Sequence, residues 1–181
     1  MKLLLHLCCG PCAVFPLKQL RASGHEVVGY FYNPNIHPYK EFARRLETAK
    51  EFSEKMQLEL IIDPRYLLED FLQQALSLGS GRCVGCYELR LREVARFAKA
   101  NHFDCFSTSL LVSPYQKHEL IRETAEKIAL EEGIPFYYFD FRIGWSEGVK
   151  ISRELELYRQ PYCGCIFSEK DRYYKPPKEH L

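Results

Sequence analysis

The chain has 181 residues, 46% hydrophobic and 27% charged, with a formal net charge of +1. That length suits one domain with its own core, and the composition excludes a disordered or collagen-like chain. So small a net charge excludes a strong overall field, so any nucleic-acid contact has to come from local patches.

Residues 3–7 (LLLHL) read as a buried strand that stops at Gly10-Pro11, with Pro11 where a first helical residue tolerates proline. A helix is expected over 13–22, ended by Ser23-Gly24, then a second strand over 25–33 and a loop broken by Pro34 and Pro38. Phe42, Leu46, Ala49, Phe52 and Met56 form one stripe of a helix over 39–56. A third strand follows at 58–62, a helix at 66–78, a Gly-Ser-Gly break, and Cys83-x-x-Cys86 ahead of a basic helix over 87–100. The fourth strand is expected at 103–110. Ser113-Pro114-Tyr115 opens a helix that Gly133 caps near 132, and a fifth strand covers 135–141. The tail carries a helix over 146–158, then Cys163-Gly164-Cys165, and frays at Pro176-Pro177.

Strands alternating with helices predict an α/β domain with a five-stranded, parallel, doubly wound (HUP/Rossmann-like) sheet, helices on both faces and a C-terminal Cys-bearing tail. One domain spans 1–181: a core sheet unit over 1–142 and a helical extension over 143–181 that returns Cys163 and Cys165 to the site. In such a sheet, ligands bind at the carboxyl ends of the strands.

Eight cysteines need an explanation. Vicinal Cys8-Cys9 and the Cys163-x-Cys165 spacing are awkward for a secreted disulfide scaffold, and His6 interrupts the short apolar start that imitates a leader. No apolar run reaches the ~18 residues of a transmembrane helix, so a cytoplasmic protein with reduced thiols and no membrane partner is expected. Cys8, Cys9 and Cys12 crowd one strand–helix turn, where a helix amino terminus favours thiolate. Cys83-x-x-Cys86 is a tight metal knuckle; a thioredoxin-like dithiol is the competing reading, but that motif belongs after a first strand. Cys105, between aromatic residues mid-strand, reads as a buried small hydrophobe. The other seven thiols are expected as metal ligands: Cys8, Cys9, Cys12, Cys83, Cys86, Cys163 and Cys165. Zinc alone would leave three of them idle; an iron–sulfur cluster plus a second metal uses them all. Cys83 and Cys86 with first-turn thiols are expected to bind iron and sulfide, and Cys163 with Cys165 to be ligands of the second metal or its close neighbours, the division of thiols between the two being left open. His6 reads as a satisfied core histidine.

The first turn lacks a glycine-rich nucleotide loop, which disfavours ATP-driven chemistry. Arg82, Arg90, Arg92, Arg96 and Lys99 form a basic strip. Lys170, Arg172, Lys175 and Lys178 form another, interleaved with Tyr173 and Tyr174. Both could be solvated faces, yet basic and aromatic residues together also suit a nucleic-acid strand.

At His6-x-Cys8-Cys9-x-Pro11-Cys12, Cys83-x-x-Cys86-Tyr87-x-x-Arg90, Ser107-Thr108-x-Leu110-x-x-Ser113-Pro114-Tyr115-Gln116 and Tyr162-Cys163-Gly164-Cys165, the sequence resembles the cobalamin-independent epoxyqueuosine reductases of the QueH type. The resemblance covers nearly the whole chain. It implies reductive deoxygenation of epoxyqueuosine to queuosine at the wobble position of tRNA. It also implies a [4Fe–4S] cluster with an adjacent mononuclear iron, and an external one-electron donor such as a ferredoxin or flavodoxin. Tyr87, Tyr115 and Tyr162 are then candidate proton donors, and Arg90, Ser113, Gln116 and Arg142 candidate substrate-binding residues. The alternatives are a cluster-dependent tRNA thiolation enzyme, which needs the missing nucleotide loop, and a zinc-stabilised RNA-binding module.

Overall fold

The structure is a computed structural model that describes residues 1–176; Pro177 and Lys178, expected in the frayed end and the second basic strip, lie outside the described residues. Strands β1 (Lys2–His6), β2 (Glu26–Phe31), β3 (Leu60–Ile62) and β4 (Cys105–Thr108) form one sheet in the order β3-β2-β1-β4. Every pairing is parallel, with Leu4 opposite Val28 on one side and Phe106 on the other. Leu3, Leu4 and Leu5 are fully buried, as a central parallel strand covered on both faces requires. The helices are α1 (Gly10–Ala22), α2 (Tyr39–Lys55), α3 (Leu68–Leu78), α4 (Arg82–Ala100), α5 (His118–Glu132), α6 (Trp145–Glu154) and α7 (Ile166–Tyr173). Helix α1 packs on α2 and α6, whereas α4 packs on α3 and α5. Right-handed crossovers put those two groups on opposite faces, because the strand order reverses direction at β1. The carboxyl ends of β1 and β4 therefore flank the switch point, where the two crossovers part and leave a crevice.

The sheet has four strands, not the expected five. Residues 135–141 contribute one bridge, Phe106 with Phe136, made by Phe106 N–H to the Pro135 carbonyl and Tyr137 N–H to the Phe106 carbonyl. Pro135 has no N–H to extend a ladder, and Asp140 already caps a 3-10 turn over Phe141–Gly144.

Three boundaries bear on the site. Helix α4 begins at Arg82, so Cys83 and Cys86 lie within its first turns rather than ahead of it. Ser113 to Gln116 form a turn, closed by the Gln116 N–H on the Ser113 carbonyl, that precedes α5 instead of its first turn. Helix α6 ends at Glu154, short of 158, where Glu156 takes a left-handed φ of 54°. The tail then forms α7, which the sequence pattern does not announce; the Cys165 sulfur accepts the Ser168 N–H at its start. At Gly10, a Cβ would stand 2.9 Å from the Thr48 carbonyl oxygen, so glycine lets the amino end of α1 close on α2. That contact fixes where the first-turn thiols point.

Candidate thiol-lined active site

Cys8 and Cys9 follow β1, and Cys12 lies one turn into α1. Strand pairing and the Gly10 contact hold this corner, so the three sulfurs lie within 4.8 Å of one another. Cys8 and Cys9 sulfurs are 3.9 Å apart, and all the cysteines are free. Ser109, just after β4, reaches across the switch point. Its Oγ accepts the Cys8 N–H at 3.0 Å and donates to the Cys8 sulfur at 3.3 Å. The Gln160 amide nitrogen lies 2.8 Å from the Cys9 sulfur and 3.3 Å from that of Cys12. Hydrogen bonds from Cys12 and Cys9, with help from Ser109, hold Cys8 well below the usual thiol range. Burial pushes Cys9 up, and its bond to Cys8 pushes Cys12 up.

A second thiol set lies nearby. Cys86, Cys163 and Cys165 are within electrostatic reach of one another. Burial pushes Cys86 up to about 12, opposed by Arg90, whose guanidinium donates to the Cys86 sulfur at 3.3 Å. Arg90 is itself buried, which an ion can tolerate only beside such partners. Gln116 donates to the Cys163 sulfur at 3.1 Å, and the Tyr87 hydroxyl holds the other end of that amide at 2.8 Å.

The tail is anchored from below. Arg45, on α2 and 1% exposed, donates to the carbonyls of Tyr162 and Cys163 at 3.0 Å each and pairs with Glu41 at 2.7 Å. Glu41 in turn accepts the Tyr158 hydroxyl. Gly164 sits over this clamp with φ 134°, and its carbonyl accepts the His37 N–H. A Cβ there would be 3.1 Å from the Arg45 guanidinium, in a backbone region that glycine favours.

Both thiol sets open onto one cavity of about 580 Å³, with Cys8, Cys12 and Cys163 in its wall. Ser109, Gln116 and Gln160 supply polar edges, and Tyr115, Trp145, Arg159 and Arg172 also line it. Tyr115 is 86% exposed and meets Trp145 edge-on.

A family model described as epoxyqueuosine reductase QueH matches residues 3–171. The chain belongs to that family. An epoxyqueuosine reductase QueH of Dehalococcoides mccartyi is 41% identical over 175 residues, covering 97% of this chain and 96% of that one. One from Thermotoga maritima is 32% identical, covering 93% of this chain and 91% of its own. A Helicobacter pylori relative is 36% identical over 93% of this chain but is about twice as long, being covered to 49%. As a member of the QueH family the chain is an oxidoreductase. Among the described residues, no helix is long and apolar enough to cross a membrane.

The residues singled out from the QueH resemblance divide by position. Cys8, Cys9 and Cys12 form their own set, and Cys86 faces Cys163 and Cys165 instead of joining the first-turn thiols. The CxxC lies within α4, with Cys86 in electrostatic reach of the tail thiols. Tyr115, Ser113, Gln116 and Tyr162 line the cavity. The Tyr162 hydroxyl donates to the His37 carbonyl, and Tyr87 is buried behind Gln116. Burial pushes Tyr162 up to about 12 and raises Tyr87 too. Arg90 donates to the Cys86 sulfur and Arg142 forks Asp140 at 2.8 and 2.7 Å, and neither is among the residues that line the cavity. His6 is a satisfied core histidine, bonded to Thr108 and the Tyr32 carbonyl and pushed down to about 4 by burial. Arg92 and Arg96 pair with Glu132 of α5, and Lys99 donates to its carbonyl, so that strip holds two helices together. Sequence reasoning missed Ser109, Gln160 and Arg45. Ser109 lies inside a quoted motif, but a polar residue in the tail and one on a helix carried no signal of thiol or tail contact.

Proposed function

We propose that this protein removes the epoxide oxygen of epoxyqueuosine at the wobble position of tRNA, leaving queuosine. Two electrons and two protons enter, both bonds to the oxygen break, a carbon–carbon double bond forms, and the oxygen leaves as water. The observation that supports this reading is a single cavity with thiols of two separate sets in its wall, in a chain of the QueH family. Its volume, about 580 Å³, suits a nucleoside-sized group swung out of a single-stranded loop.

The donor sets fit iron. Free, clustered thiols that also receive neutral hydrogen bonds are the ligands that select iron–sulfur centres and soft metals. Cys8, Cys9 and Cys12 would hold a [4Fe–4S] cluster. Cys86, Cys163 and Cys165, with Cys83 one turn away on α4, would hold a mononuclear iron. When bound, these groups supply one-electron transfer and polarisation of the epoxide oxygen. Electrons come from a ferredoxin- or flavodoxin-like donor.

The chain's own residues bind and orient. Tyr115 and Trp145 offer faces for stacking a base at the cavity mouth, and Arg159 and Arg172 meet phosphates. Gln116, locked by Tyr87, presents its amide edge inside. Tyr115 is the candidate tyrosine whose hydroxyl makes no hydrogen bond among the described residues, so it can relay protons from solvent.

The test uses tRNA carrying epoxyqueuosine, the iron-loaded protein, a reduced donor and mass spectrometry of the nucleosides. A Cys163→Ser/Cys165→Ser variant should keep the iron and sulfide of the first-turn set while losing conversion by at least a hundredfold. Normal conversion would make the tail thiols structural. A wild-type protein that holds only zinc and converts nothing would end the reductive reading.

A further inference from the structure

Gln160 lies in the loop between α6 and the Cys163-Gly164-Cys165 turn, and has no part in the thiol chemistry described so far. Its amide nitrogen stands 2.8 Å from the Cys9 sulfur and 3.3 Å from the Cys12 sulfur, and its side chain makes no other hydrogen bond among the described residues. Cys8 has its own donor in the Ser109 hydroxyl at 3.3 Å. Each of the three first-turn sulfurs thus receives one hydrogen bond from an uncharged side chain. A metal-bound thiolate is only an acceptor, so in the loaded centre the end of the amide that faces both sulfurs is its NH2.

We propose that Gln160 is a tuning donor that raises the reduction potential of the metal centre held by Cys8, Cys9 and Cys12. This rests on the iron–sulfur reading above. Hydrogen bonds draw electron density from thiolate sulfur, so the sulfur donates less to iron and the reduced, more negative state becomes easier to reach. A carboxamide does this without adding a charge and without offering itself as a strong ligand. The loop also makes the effect conditional. Gln160 precedes Tyr162 and Cys163 by only a few residues, and Arg45 holds the carbonyls of both. With the tail docked, the amide is over the trio; with the tail released, Cys9 and Cys12 are left without a donor. The potential of one thiol set is therefore coupled to the seating of the segment that carries the other.

The experiment is a spectroscopic redox titration of the full-length, iron- and sulfide-loaded protein. Gln160→Met keeps the length of the side chain and removes the donor. Gln160→Glu replaces the donor by an anionic acceptor. Both should load, and both should titrate lower than wild type. The methionine variant should shift the reduction equilibrium by about tenfold, or ~59 mV for a one-electron couple, and the glutamate variant by more. Variants that load fully and keep the wild-type potential overturn the assignment. So does failure of both to load beside a loaded wild type, since Gln160 is then needed for assembly rather than tuning. A wild type that takes up no redox-active metal removes the iron–sulfur reading itself, and the proposal with it.

Discussion

Arg45 shows how much of this site depends on single buried polar groups. Its guanidinium is almost wholly withdrawn from water, and every donor direction in use meets tail backbone or Glu41. Removing one partner of such an arrangement strands the others, at a cost of about 3–5 kcal/mol. Arg45→Met is therefore expected to lower the urea midpoint of the metal-free protein. In the loaded protein it should release iron from the Cys163/Cys165 side while the first-turn set stays filled. Iron-to-protein ratios before and after gel filtration check this, and a variant with full iron at both sets would show that the clamp does not seat the tail. In sequence, Arg45 is one polar position on an amphipathic helix. Its role depends on a segment more than a hundred residues away, which helical periodicity does not encode.

At the scale of elements, α4 carries two kinds of basic residue. Arg92 and Arg96 face α5 and meet Glu131 and Glu132, while Arg90, on another side of the helix, lies under the thiols. Exposed pairs of this kind contribute at most about 1 kcal/mol each. Because Arg92 and Arg96 are already paired, we expect the cavity rim rather than this strip to hold tRNA. Neutralising Arg159 and Arg172 should weaken tRNA binding and reduce its salt slope by about one for each phosphate that is no longer neutralised. Neutralising Arg92 and Arg96 should leave the slope within error. Binding isotherms across a salt series distinguish the two, and a slope that responds to Arg92 and Arg96 instead would restore the strip as the interface. The spacing of the arginines was legible in the sequence; their partners were not, because α5 meets α4 only after β4 has been laid beside β1.

For the whole molecule, the thiols of the two sets lie on the first turn, on α4 and in the tail, and in the proposed reading the second centre ties α4 to the tail. A centre bound by ligands from separate elements stabilises the folded state, by about 2.7 kcal/mol at a hundredfold excess over its Kd. Stripping the metal with a chelator under anaerobic conditions should lower the melting temperature by several degrees, and reloading should restore it. Equal melting curves for the two forms would mean that the thiol sets do not tie the elements together.

The alternation of apolar strands with amphipathic helices determined a parallel α/β sheet, since local periodicity and burial are written in short stretches of chain. The motif cysteines announced metal chemistry for the same reason: their spacing is local. The fourth pairing, by contrast, ended where Pro135 and Asp140 compete with the ladder, and a hydrophobic run by itself does not reveal that competition. Which thiols lie together, which arginines pair with α5, and which glutamines touch sulfur were decided by tertiary structure alone. These depend on contacts such as Gly10 against Thr48, Ser109 against Cys8 and Gln160 against Cys9. Each joins residues far apart in sequence, and only the closing of the sheet brings them within reach.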